Sequence, residues 1–66
     1  MKTYEAFVDH AYNLVRMDTE DMDAIYKDYI LRIVGTYGFN ALYENKLIES
    51  CGVINGRQLF ALCNKN

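Results

Sequence analysis

Val53-Ile54-Asn55-Gly56-Arg57-Gln58-Leu59-Phe60-Ala61-Leu62-Cys63 is the stretch that decides the fold, because Asn55-Gly56 is the strongest turn signal in the chain. A two-residue hairpin of type I′ needs positive φ at both central positions, and Asn and Gly accept that conformation with the least strain. With Ile54 opposite Arg57, the apolar pair Val53-Ile54 leads into the turn and Arg57 to Cys63 returns as a strand. Strand parity then puts Cys51 on the face of Phe60 and Cys63 on the other face. Leu59, Phe60, Ala61 and Leu62 are consecutive apolar residues, so both faces of the return strand need cover. A two-stranded hairpin has two edges and one natural core face. The surplus points to a second surface, either a homodimer seam or a docking site. Cover by the first helix is the plain competing explanation.

Upstream of the hairpin the periodicity is helical. Gly52 reads as the residue just past a helix end, and Asn40 as the cap of a third, short helix through Ala41, Leu42, Tyr43, Lys46, Leu47 and Ile48. Leu42 and Glu44 interrupt its apolar stripe. Before it, Met22, Ile25, Tyr26, Tyr29, Ile30, Ile33, Val34 and Tyr37 recur at spacings of three and four, the strongest helical pattern in the chain. Asp18 or Thr19 can cap this second helix, with acids in its first turn and acid-first pairs Asp23 to Lys27 and Asp28 to Arg32. Gly35 or Gly38 ends it. A first helix over residues 4–17, capped by Thr3, follows from Tyr4, Phe7, Val8, Ala11, Leu14 and Val15. The expected class is α+β, mainly α: three helices followed by a C-terminal β-hairpin, in one domain spanning residues 1–66.

Composition bounds what such a domain does. The chain has 66 residues, 52% of them hydrophobic, with six Tyr and three Phe. That is too apolar for a disordered tail and rich for a small monomer, so self-association or a bound partner is expected. The net charge is −2 and the basic residues are scattered singly, which disfavours a generic nucleic-acid binder. The N-terminus reads Met1-Lys2-Thr3-Tyr4-Glu5, not a secretory leader, and no apolar run approaches the length of a membrane span. A cytoplasmic location with Cys51 and Cys63 as free, buried thiols is the expectation.

Sites for chemistry are sparse. His10 is the only histidine and falls on the solvent side of the first helix, without the partners that catalysis or metal binding needs. Asp18, Glu20, Asp21 and Asp23 do not fit a calcium loop, since either register puts Met22 or Ile25 at a ligand position. The acids are explained by helix capping and the helix dipole. Gly35-Thr36-Tyr37-Gly38 has the form of the G-x-x-G clamp of KH-type RNA binders. Its interior lacks a cation, however, and no strand precedes the first helix, so a helix terminus is the better account. Two cysteines alone hold no zinc, and no catalytic triad, phosphate loop or dinucleotide fingerprint is present. We expect no enzyme activity, no metal and no cofactor.

The run Ile48-Glu49-Ser50-Cys51-Gly52-Val53-Ile54-Asn55-Gly56-Arg57-Gln58-Leu59-Phe60-Ala61-Leu62 resembles the end of a winged helix-turn-helix domain, over about a quarter of the chain. The resemblance implies a recognition helix from Asn40 to Ser50, groove contacts from Asn40, Tyr43, Asn45 and Lys46, and Arg57 on the wing. Against a DNA-binding regulator stand Glu44 and Glu49 beside the single Lys46, and a minimal wing.

Ala24 and Leu31 lie on the outer face of the second helix, Leu31 about 150° from the centre of the stripe. With Leu59 and Ala61 they are the candidates for a partner surface. The function expected first is therefore a small accessory, adaptor or inhibitor protein of the kind bacteria and their mobile elements encode. It would act by binding another protein, a nucleic-acid-binding one among the candidates, or a second copy. A winged-helix DNA regulator is the alternative.

Overall fold

In a computed structural model, which describes residues 2–63, the elements run α1 (Lys2–Asp18), β1 (Ile25–Tyr26), α2 (Lys27–Glu44), β2 (Ile48–Ile54) and β3 (Arg57–Leu62). The class is mixed helix and sheet, mainly helical. The three strands form one antiparallel sheet in the order β1-β3-β2. The hairpin is thus part of a larger sheet, with β3 at its centre. Ile25 pairs with Phe60 and Tyr26 with Leu59 on one side, and Ile48 pairs with Leu62 on the other.

α1 forms as its periodicity requires. Val8, Ala11, Tyr12 and Val15 recur at three and four residues and are all buried. The helix ends at Thr19, whose hydroxyl and backbone N–H both donate to the Val15 carbonyl, at 2.7 and 3.0 Å. Thr19 is therefore not the start of a second helix. It closes the first, and the Met22 N–H turns back to the Thr19 carbonyl. Residues 19–24 are turn and bend, Ile25–Tyr26 are strand, and α2 starts only at Lys27. The three-and-four pattern begun at Met22 was half coincidence, because Ile25 is buried through the sheet.

Two helices are present instead of three, because α2 runs from Lys27 to Glu44 across the expected gap. Its continuity is broken internally at Gly35, with φ 79° and ψ 173°, a conformation open in practice only to glycine. Gly35 is thus the kink, while Gly38 remains helical and buried. A Cβ on Gly38 would sit 2.7 Å from Val34 Cβ, so that position has no room for a side chain. Asn40 does not cap a helix; it lies exposed within α2. Leu42, which seemed to break the stripe, is fully buried once the second half of the helix is counted from Gly35. Lys46 takes the left-handed position, φ 60°, that closes α2: its N–H reaches the Tyr43 carbonyl, and the Leu47 N–H reaches the Leu42 carbonyl. Ile48 to Gly52 are consequently strand and not helix.

The turn follows the sequence closely. Asn55 (φ 53°) and Gly56 (φ 78°) connect Ile54 to Arg57, which pair with each other. Gly52, expected to follow a helix, instead belongs to a β-bulge at which the register shifts between Ser50 and Gly52. The core lies between α1, α2 and the inner face of the sheet. Val15, Ile30, Leu42 and Ile48 fill its centre, and Phe39 meets Phe60 edge to face at 5.1 Å. The Tyr12 hydroxyl donates to the Cys63 carbonyl at 2.8 Å, tying α1 to the end of β3.

Candidate interaction surfaces

The residues expected to touch DNA are outward-facing but carry little charge. Asn40, Tyr43, Asn45, Lys46 and Arg57 are all exposed. The second half of α2, residues 36–45, contains no Lys or Arg, and it exposes Glu44. Arg57 is engaged within the fold. Its guanidinium lies 3.7 Å above the Tyr26 ring and donates to Asp28 Oδ2 at 2.8 Å. Desolvation pushes the Asp28 carboxyl up, but the Arg57 hydrogen bond and the nearby Arg57 and Arg32 charges outweigh it and hold it below the usual range. Asn45 is also committed, its side-chain amide donating to the Ala41 carbonyl and to the Tyr4 hydroxyl. Lys46 lines an open depression of mixed character with Tyr43, Ile48, Glu49, Ser50 and Cys63.

Ala24, Leu31, Leu59 and Ala61 are all half-buried. Leu59 and Ala61 share the outer face of the sheet with Tyr26, by register. Leu31 packs against the core and borders a depression under the hairpin turn with Gly56 and Arg57. β3 is the central strand, with Phe60 buried on the inner face and Leu59 beside its register partner Tyr26 on the outer one.

Larger apolar exposure lies elsewhere. Among the described residues, Met17 (68%), Tyr37 (72%) and Val53 (62%) are the most exposed of the large hydrophobic side chains. On the α1–α2 side, one depression is lined by Thr3, Tyr4, Phe7 and Tyr37, and another by Leu14, Met17, Asp18 and Ile33. The rings of Phe7 and Tyr37 pack at 5.3 Å across the two helices. In the sequence, Leu14 and Ile33 read as core stripe. The missed signal was the width of α1's apolar arc, which runs from Val8 around to Met17 and exceeds what one neighbouring helix covers.

His10 is exposed on α1. Among the described residues no three His, Cys, Asp or Glu side chains converge as metal ligands, and no helix is long and apolar enough to cross a membrane. Both thiols are free, but the expectation of buried thiols fails for Cys51, which is the extra, exposed residue of the bulge. Cys63 is half-buried; burial and then the charge of Glu49 push its thiol up. The Tyr29 hydroxyl donates to Asp18 Oδ2 at 2.9 Å, and that bond and charge raise the phenol. The chain matches no family model, no curated protein and no solved structure.

Proposed function

We propose that this protein is a non-enzymatic binding module that acts by docking on another protein. One observation carries this reading: most of the large apolar side chains that remain exposed, Tyr4, Leu14, Met17, Tyr37, Val53 and Ile54, lie on the α1–α2 side and on the hairpin, while residues 36–44 of α2, which would enter a DNA groove, carry no cation. Exposed apolar patches on a small domain mark interaction sites. A DNA reader draws most of its affinity from neutralised phosphates. Here Lys46 stands beside Glu44, and Arg57 is already held by Asp28 and Tyr26. A cytoplasmic setting fits the two free thiols. Accessory, adaptor or inhibitor roles, with homodimerisation as one form of the docking, fall within this proposal.

The order of elements favours a second reading. Helix, short strand, a helix bent at Gly35 and a hairpin with its last strand central follow the winged-helix plan, in which residues 36–44 would be the recognition helix and Asn55-Gly56 the wing tip. The same plan serves protein docking, so charge and not topology separates the two readings.

The test is duplex-DNA binding by fluorescence anisotropy, at low and then near-physiological salt. A docking module shows no saturable binding at either. Saturable binding that weakens with salt and is lost in Lys46→Ala would overturn the proposal in favour of a regulator.

A further inference from the structure

We propose that the α1–α2 face is a docking groove for a basic amphipathic helix of a partner protein, an inference that rests on the protein-docking reading above. The two apolar depressions on that side follow one line. Phe7 and Leu14 are seven residues apart, about two turns, and so stand on the same side of α1. Each depression takes its opposite wall from α2, through Tyr37 and Ile33. From Tyr4 to Met17 the line is about 20 Å long at a rise of about 1.5 Å per residue, enough to seat three to four turns of helix. Its exposed side chains are of the adaptable kind: Met17 at 68%, Tyr37 at 72%, and Tyr4 and Leu14 at 38% each. Methionine fits partners of varied shape because its chain is unbranched and polarizable. An amphipathic helix laid into such a groove is a recurrent mode of recognition.

Charge selects the occupant. Asp18 lines the second depression, and Glu20, Asp21 and Asp23 follow, all exposed, in the segment leaving α1. The C-terminal end of α1 adds the negative pole of its dipole at the same place. The one cation on the last turn of α1, Arg16, lies about 180° around the helix from Phe7 and does not offset these acids along the groove. Arg32, on α2, is shared between Asp28 and Tyr29, the phenol that donates to Asp18, and is one cation against the four acids Asp18, Glu20, Asp21 and Asp23. The groove is thus apolar along its length and acidic at one end, so its complement is a helix with an apolar stripe and Lys or Arg at the end that meets residues 18–23. A second copy of this chain, with net charge −2 and the same acids, is a poorer match.

The experiment uses the full chain and three synthetic 14-residue peptides, each with one Trp: an amphipathic Leu/Lys helix, its Leu/Glu counterpart, and a Lys-containing peptide with every Leu replaced by Ser. The chain has no Trp, so peptide emission reports binding directly. The Leu/Lys peptide should bind saturably and at least tenfold more tightly than either control, and added salt should weaken it. Met17→Lys should reduce that affinity tenfold or more, while Val53→Lys on the hairpin should leave it unchanged. Both sites are solvent-exposed, so both variants should keep the wild-type circular dichroism. Absence of saturable Leu/Lys binding, equal binding by a control peptide, or a loss caused by Val53→Lys but not by Met17→Lys would overturn the groove. A concentration-dependent dimer abolished by Met17→Lys would overturn it too, by making a second copy the occupant. Failure of the peptide test without DNA binding removes the groove alone, whereas DNA binding removes the docking reading itself.

Discussion

Replacing Gly35 by L-alanine isolates the backbone requirement of the kink in α2. No atom lies within 4 Å of the Cβ that the substitution adds, so no steric overlap contributes. What remains is the dihedral pair, φ 79° and ψ 173°. Holding an L-residue in that region costs about 1–3 kcal/mol. The alanine chain loses less entropy on folding, which returns about 0.4–1 kcal/mol. The net expectation is a loss of about 1–2 kcal/mol, or about 5–15 °C in Tm for a domain of this size. Urea unfolding followed by circular dichroism at 222 nm measures it, with an unchanged slope against denaturant showing that the same structure unfolds. L-serine at 35 should cost a similar amount, because the penalty is backbone and not side chain. D-alanine, introduced by chemical synthesis, should exceed wild-type stability by about 0.4–1 kcal/mol, since its allowed regions are the mirror image and the entropy gain then stands alone. If L-alanine leaves stability within about 0.5 kcal/mol of wild type, the strained conformation assigned to Gly35 is wrong.

Gly38→Ala tests the opposite case, a helical glycine. Helix propensity favours alanine by about 1 kcal/mol, but overlap with Val34 Cβ at 2.7 Å should cost more, so denaturant titration should find a net loss. Lys46→Gly should stabilise, by up to about 1 kcal/mol in the same assay, because glycine takes the left-handed helix end without a Cβ penalty. The Arg57–Asp28 pair should be acid-sensitive. The Asp28 carboxyl is depressed in the folded chain, so its contribution is present above its ordinary value of 3.8 and fades as pH falls through the lower folded value. The Tm difference between wild type and Arg57→Met should therefore be small at pH 7, as the pair is exposed, and should shrink further near pH 2, to what the Arg57–Tyr26 contact alone contributes. Cys51 should alkylate with iodoacetamide well before Cys63, as peptide mapping after a short pulse would show, because Cys63 is half-buried and its thiol is raised.

The parts of the fold legible in the sequence were those written in local chemistry. Asn55-Gly56 specified its turn because positive φ is a property of those two residues, and α1 showed its buried face because helical spacing is local. The second helix was misread at its start, where tertiary pairing decided, while the break at Gly35 fell where a glycine was expected to end it. Ile25 fits a helical stripe as well as it fits a strand, and only Phe60, far along the chain, selects the strand. Thr19 has the chemistry of a cap at either end of a helix, and nothing nearby in sequence says which. Ile48 to Gly52 followed the same pattern: the helix stops at Lys46, a left-handed residue with no sequence signature, so the stop at Gly52 was placed a turn and a half too late. The strand β1 beside β3 was not legible either, because its pairing with Phe60 and Leu59 joins residues far apart in the chain. The exposed line Tyr4, Phe7, Leu14 and Met17 could be read as apolar, but its lack of cover depends on how α2 crosses α1.

The central place of β3 also bears on when this chain folds. β3 follows every other element in the chain, yet both β1 and β2 pair with it alone. As the ribosome delivers the chain from its N-terminus, α1 and α2 emerge while Ile25 and Ile48 still have no strand to pair with. The hairpin can then zip quickly through its two-residue turn, and capture of β1 closes the sheet in one step. Folding should therefore be a single late event, and a nascent chain arrested before Arg57 should be open to proteases along most of its length.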